Sequence, residues 1–326
     1  MGTAGGLQIS AFDPLLHDVE LPLCATYYPV GFPLRVVTNS RHVLESAVES
    51  WGMYPGAQFD TPPLQVRVIV QPEGERSSQP SFRVQGKLFS AIFDRDNFMV
   101  FDSNSMSGHC FLSAQTAASH PHLRMHYLEA MVYMLLAQRY VVPMHAACVA
   151  RNGAGVLLCG RSTAGKSTLS YGCARAGWTY VADDCTWLLP HAEDRMAIGK
   201  SHMARFREDA PRLFPELEGY AVRARPNGKL GMEVPLSDFP QIRTTSACPI
   251  ESVVLLDRRP AAAARIVRIS GEEVVEQILH DMPSYGQDVS EMYARTAGRL
   301  LHVPAYRMQY ETLEDGIRLL SETINW

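Results

Sequence analysis

The sequence predicts an α/β protein: a strand–loop–helix core set in a mixed sheet, preceded by an α+β module. Three observations carry that expectation. A glycine-rich stretch, Gly160-Arg-Ser-Thr-Ala-Gly165-Lys-Ser167, joins an apolar run to a helical one. Two strand-like runs flank Asn152-Gly153, and Asn-Gly is the strongest short hairpin signal. Short alternating segments broken by turn residues fill much of 1–115, whereas helical stripes alternate with apolar runs over 116–326. The module boundary is therefore placed between 115 and 116.

In the first module, Val43, Leu44, Ala47, Val48 and Trp51 share one helical face behind a cap at Asn39 or Ser40. Leu64 to Val70 alternates as a strand does. Phe82–Val84, Leu88–Phe93, Phe98–Phe101 and Cys110–Leu112 then read as a meander of antiparallel strands, with a mobile loop expected over Gln71–Pro80. Nothing here carries a catalytic set, and the module reads as a scaffold or recognition unit.

A helix is expected from near His120 to Arg139, with Leu123, Tyr127, Met131, Met134 and Leu135 as its core stripe, leading into the second module. Met144–Arg151 and Ala154–Cys159 form the hairpin, and Lys166–Ala176 forms a helix closed by Gly177. The strand before Asp183 should lie next to the strand before the loop. Residues 199–246, rich in Arg and Pro, read as loops around a site. Ser252–Leu256 is a strand, Ser270-Gly-Glu-Glu273 caps a helix to His280, and Val289–Leu300 is a helix. Ala305–Tyr310 is a strand, and Thr312–Ile324 the last helix.

Gly160, Gly165, Lys166 and Ser167 fit the pattern G-x-x-x-x-G-K-[ST] of a phosphate-binding loop, or P-loop. Such a loop turns backbone N–H groups and a helix N-terminus toward phosphate oxygens. The nucleotide-contacting residues expected are Gly160, Arg161, Ser162, Thr163, Ala164, Gly165, Lys166, Ser167 and Thr168. Lys166 is expected to reach the β- and γ-phosphates of a nucleotide, and the Ser167 hydroxyl to hold Mg²⁺.

Val181-Ala-Asp183-Asp184 ends an apolar strand, and the carboxyl ends of strands are where ligands bind in open α/β sheets. One of Asp183 and Asp184 is expected to serve Mg²⁺, and the other to take a proton from an attacking hydroxyl. Across a two-residue Asn-Gly turn the paired positions sum to 305, which sets His145 opposite Gly160; a longer loop sets it opposite Ser162. Either register brings the imidazole to the edge of the loop. Arg207, Lys229 and Arg258 are further cations in reach.

With 326 residues, a net charge of −4 and 46% hydrophobic residues, the composition is that of a soluble globular protein. No basic excess points to nucleic acid, and no apolar run is long enough for a membrane span. No secretory signal or myristoylation pattern is read at the N-terminus. Seven scattered cysteines without a C-x-x-C pair suit a reducing cytoplasm. Self-association as a homo-oligomer is left open.

His145, the Asn-Gly hairpin, the loop Gly160–Ser167 and Val-Ala-Asp183-Asp184 together resemble the catalytic core of HPr kinase/phosphorylase, whose nucleotide-binding core is similar to that of phosphoenolpyruvate carboxykinase. The resemblance covers about residues 143–190; the strand end Leu255-Leu-Asp-Arg258 and the closing strand and helix fit it more loosely. It implies a P-loop core of that type and an ATP- and Mg²⁺-dependent serine kinase. Its substrate would be a protein or peptide bearing a serine, with one of Asp183 and Asp184 as base and His145 beside them. The family's loop usually has Asp where Arg161 stands and Gly where Thr163 stands. Its second signature, Glu-x-Arg-Gly-x-Gly, is absent; the corresponding region reads Ala204-Arg-Phe-Arg-Glu-Asp-Ala210. The reverse, phosphate-driven reaction is therefore not expected, nor is HPr singled out as the acceptor. Two other readings fit the same core: a kinase for a small hydroxylated metabolite, and a nucleotide-sensing module without turnover.

Overall fold

The computed structural model describes residues 19–74, 80–191, 194–224, 228–259, 263–283 and 285–324. The readings made on the N-terminus and on the centre of the Gln71–Pro80 loop lie outside these residues. The chain divides into two compact units, the first ending at Arg139 and the second beginning at Tyr140.

The first unit is built on a seven-stranded mixed sheet. It starts with β1 (Leu23–Tyr27), β2 (Leu34–Thr38), α1 (Arg41–Trp51) and β3 (Leu64–Gln71). A meander follows: β4 (Ser81–Gln85), β5 (Leu88–Ile92), β6 (Phe98–Asp102) and β7 (Ser107–Ser113). The meander is antiparallel, as its alternation predicts. Yet β3 runs parallel to both β2 and β7, which makes the sheet mixed. The N-cap of α1 is Ser40, while Asn39 hydrogen-bonds across to the main chain of Val70 instead. Val43, Ala47 and Trp51 are buried at i, i+4 and i+8, but Val48 faces solvent.

The first unit closes with α2 (Ala114–Ala118), α3 (His120–Leu123), a wider π turn over Arg124–Leu128, and α4 (Glu129–Arg139). Leu123, Tyr127, Met131 and Leu135 are buried as expected, and Met134 is partly so. The boundary, however, falls after Arg139 and not at 115. The helix packs its apolar stripe within the first unit, including against β6, so it completes that core.

The second unit centres on a ten-stranded sheet. Its first strands are β8 (Val142–Met144), β9 (Ala146–Arg151) and β10 (Ala154–Cys159). After the loop come α5 (Lys166–Arg175), β11 (Thr179–Ala182), β12 (Thr186–Leu188) and β13 (Met196–Gly199). Residues 199–246, expected to be loops, hold a separate three-stranded antiparallel sheet, β14 (Met203–Arg207), β15 (Arg223–Ala224) and β16 (Leu230–Pro235). Phe206, Phe214, Met232, Val234 and Phe239 give it an apolar core against Tyr171 of α5. The two-residue β17 (Arg243–Thr244) then returns to the main sheet, followed by the long β18 (Ala247–Arg258) and β19 (Arg265–Ile269). The unit ends with α6 (Gly271–His280), α7 (Gln287–Gly298), β20 (Ala305–Tyr310) and α8 (Leu313–Thr323). Ser270 caps α6 by accepting from Glu273, as its sequence signature predicts, and Thr312 caps α8 in the same way by accepting from Asp315.

Alternation along β9, β10 and β18 buries two faces. Cys148, Leu157 and Val253 pack toward Val274, Ile278 and Tyr293 of α6 and α7. Val149, Leu158 and Val254 pack toward Leu169 of α5 and Leu320 of α8. Helices thus cover both sides, the layering expected of a sheet with parallel strands at its centre.

Candidate active site

The hairpin sets the geometry. Asn152 and Gly153 both have positive φ, 51° and 85°, so the turn is the tight two-residue kind. The pairing Ala154↔Arg151 continues to Cys159↔Ala146, which is the register summing to 305. His145, one residue before β9, therefore lies beside Gly160, one residue after β10.

β11 does not pair with β10. It pairs antiparallel with β9, which lies between the two. The hairpin partner of β10 occupies the neighbouring position, so the chain leaving α5 must cross to the next one. Because β9 is antiparallel to both, β10 and β11 still point the same way. β18 and β20 run parallel to β10 as well. The ends of β10, β11, β18 and β20 and the start of β9 thus share one edge of the sheet. That edge carries the loop, Asp183-Asp184, Arg258, Tyr310 and His145.

In the loop, Thr163 and Gly165 take φ of +80° and +90°, and Ala164 N–H closes a turn onto Arg161 O at 3.1 Å. The N-cap of α5 is Gly165, which brings no side-chain oxygen to the first-turn N–H groups. These groups point toward the loop mouth, as does the positive end of the helix. Tyr310 Oη donates to Ala164 O at 2.9 Å and would stand 2.8 Å from any Cβ placed on Gly165.

Lys166 is buried, and its ammonium donates to Gly160 O at 2.7 Å and Arg161 O at 3.3 Å. Its Nζ also lies 3.0 Å from His145 Nε2. Burial pushes the lysine pKa down, opposed first by the charge of Asp184 and then by Cys159 and Asp281. The other ring nitrogen of His145, Nδ1, is 3.6 Å from Asp184 Oδ1. A line of charge and hydrogen-bonding groups, Lys166–His145–Asp184, crosses the mouth of the loop.

The two acids part company. Asp184 is half exposed and faces His145. Asp183 is buried, and its carboxylate accepts the backbone N–H of Arg205 at 2.6 Å. Burial and then the charge of Asp183 hold the Tyr180 phenol pKa high. Asp183 meets the loop through its main chain, where its carbonyl accepts from Ser167 Oγ at 3.3 Å. Alternation at the end of β11 sends successive side chains to opposite faces. The hydroxyl of Ser167 and the carboxylates at this strand end are hard oxygen donors, which suit Mg²⁺.

Of the three cations proposed from sequence, Arg258 borders a cleft of about 330 Å³ beside the loop, with Gly165, Thr168, Leu169, Tyr310 and Leu313. Arg207 and Lys229 are exposed on or beside the three-stranded sheet. Three contributors carried no local sequence signal: Tyr310 on the loop carbonyl, the Arg205 N–H on Asp183, and Asp281, whose charge reaches Lys166. Each arrives from a distant segment, so no local pattern marks it. The rule that strand carboxyl ends face ligands was the one clue to Tyr310.

Among comparisons with known proteins, a family model described as "SynChlorMet cassette protein ScmC" matches residues 109–198, a span containing the hairpin, the loop and both aspartates. No curated protein matches. A solved HPr(Ser) kinase/phosphatase from Coxiella burnetii is similar over 56% of this chain and 95% of its own, with 13% identity and a TM-score of 0.29. That level of similarity does not establish a common fold.

Proposed function

We propose that this protein is an ATP-dependent kinase that transfers the γ-phosphoryl group to a serine hydroxyl of a protein or peptide. The observation that carries the reading is the Lys166–His145–Asp184 line, with steps of 3.0 and 3.6 Å, laid across a glycine-rich loop at a helix N-terminus.

The chemistry follows from what each group can do. Backbone N–H groups of the loop and of the first turn of α5 bind the phosphate oxygens. Lys166 exchanges its carbonyl partners for phosphate oxygens and neutralises charge on the transferring group. The exposed Asp184 accepts the proton of the substrate hydroxyl; the hydroxyl oxygen bonds to the γ-phosphorus, the bond to the β–γ bridging oxygen breaks, and ADP leaves. His145, between Lys166 and Asp184, orients the carboxylate. Asp183, anchored by Arg205 N–H, holds the strand end against Ser167. Ser167 and an aspartate oxygen would hold Mg²⁺, which would supply charge neutralisation on the phosphates. The cleft beside Gly165 accommodates the nucleoside end, with Leu169 and Leu313 as apolar lining. The name of the matched family describes a cassette protein, so acceptors encoded beside this chain are tried first.

The test uses ATP labelled at the γ-phosphate with candidate peptides, proteins and small alcohols. Label is expected to appear on serine of a peptide or protein and to vanish with Lys166→Ala. Equal transfer by Lys166→Ala, or transfer confined to small alcohols, overturns the proposal.

A further inference from the structure

We propose a second, separate site: a zinc-binding centre on the first unit formed by His42, Glu45 and His120. His42 and Glu45 lie one turn apart on α1, and His120 opens α3. Three ligand atoms converge. His42 Nδ1 is 3.1 Å from His120 Nε2 and 3.6 Å from Glu45 Oε2, and His120 Nε2 is 3.5 Å from that same oxygen. A tetrahedral ion with ligands at about 2.0–2.1 Å spaces them about 3.3–3.4 Å apart. The triangle therefore already has the size of one face of such a site.

Proton bookkeeping leaves a ligand lone pair facing the triangle. His120 Nδ1 is 2.8 Å from Glu49 Oε1, and a carboxylate can only accept, so Nδ1 carries the hydrogen. In the neutral ring Nε2 is then a bare lone pair. It accepts from His42 Nδ1 at 3.1 Å and faces Glu45 Oε2 at 3.5 Å, so a cation that replaces the shared proton would meet three lone pairs together. The outer groups match a metal site too. Glu49 orients His120 through the nitrogen not facing the triangle, and Arg124 Nη1 fixes Glu49 at 3.3 Å. A carboxylate on the far nitrogen of a ligating histidine sets its tautomer and raises its basicity.

Two imidazoles and one carboxylate select a borderline first-row ion such as Zn²⁺ over Mg²⁺ or Ca²⁺. The side chains of His42 and Glu45 are 53% and 58% exposed, so the fourth position opens to water. Bound zinc would clip α1 to α3, elements 69 or more residues apart in sequence. None of this depends on the proposed kinase activity.

The experiment is a calorimetric titration of ZnCl₂ into the full chain after chelator treatment, with Co²⁺ absorption as a second readout. Wild type is expected to bind one zinc equivalent that the double variant His42→Ala/His120→Ala lacks, and Co²⁺ to give tetrahedral visible bands only in wild type. Glu49→Gln, outside the ligand set, should keep that equivalent with affinity lowered about 10–100-fold. Glu45→Gln serves if the double variant does not fold, and should lose affinity likewise. Equal zinc equivalents in wild type and the double variant, no uptake by wild type at 100 µM ZnCl₂, or unchanged affinity in Glu49→Gln overturns the site.

Discussion

At the scale of single residues, two neighbouring acids do different work, and substitution separates them. Asp183 is buried and accepts a main-chain N–H, so Asp183→Ala strands that donor in the interior. A loss of about 1–3 kcal/mol of stability is expected, read by denaturant unfolding. Asp184 is half exposed. Asp184→Asn should leave the unfolding midpoint in place and lower phosphoryl transfer by about 10²–10⁴-fold, the usual effect of removing a general base. If Asp184→Asn transfers at the wild-type rate, the proton goes elsewhere. Thr163 offers a second measurement. It is exposed, and its φ of +80° is costly for a β-branched residue. Thr163→Gly is expected to raise stability by about 1 kcal/mol, since relief of strain of about 1–3 kcal/mol exceeds the entropy cost of glycine. A lower melting temperature would mean that the threonine side chain makes a compensating contact.

Among elements, the hairpin and the loop were legible for the same reason: their signals are local. Asn152-Gly153 prescribes a turn, the turn prescribes the register, and the register sets His145 beside Gly160. The capping box of α6 and the Gly177 terminus of α5 are local as well. What the sequence did not display was pairing between distant segments. The insertion of β9 between β10 and β11, the parallel pairing of β2 and β3, and the three-stranded sheet within 199–246 all depend on partners far along the chain. Strands as short as Arg223–Ala224 leave no period to read. Two glycines test the difference between turn and cradle. A Cβ on Gly153 meets open space, so Gly153→Ala costs only the backbone penalty of φ +85°, about 1–2 kcal/mol. A Cβ on Gly165 also collides with Tyr310 Oη, which supports the loop. Gly165→Ala is expected to abolish ATP binding in a calorimetric titration, whereas Gly153→Ala keeps it. Equal affinities would remove Tyr310 from the support of the loop.

For the whole molecule, the division after Arg139 makes the cysteines reporters of two separate units. The helix from His120 to Arg139 precedes the hairpin in sequence, which alone assigns it to the second module, but its buried stripe completes the first core. Cys24 is exposed, Cys185 is intermediate, and Cys110, Cys148, Cys159, Cys173 and Cys248 are buried. Burial pushes Cys159 and Cys173 up to about 12, so neither is an appreciable thiolate near neutrality even when a reagent arrives. One fast-reacting thiol, Cys24, is expected in the native protein, and the buried ones should react only as their unit opens. Ligand binding stabilises what it binds by mass action: at 100 times the dissociation constant, about 2.7 kcal/mol, or roughly a hundredfold in the population of the open state. ATP with Mg²⁺ should therefore slow labelling of Cys159 and Cys173 by about that factor. Cys110 lies in the first unit and should label at an unchanged rate if that unit opens on its own; zinc at the His42–Glu45–His120 centre should have the converse effect, slowing Cys110 and leaving Cys159 and Cys173 unchanged. Mass spectrometry of the alkylated peptides reads all three thiols in one experiment. Equal protection of Cys110 by nucleotide would show that the two units open as one.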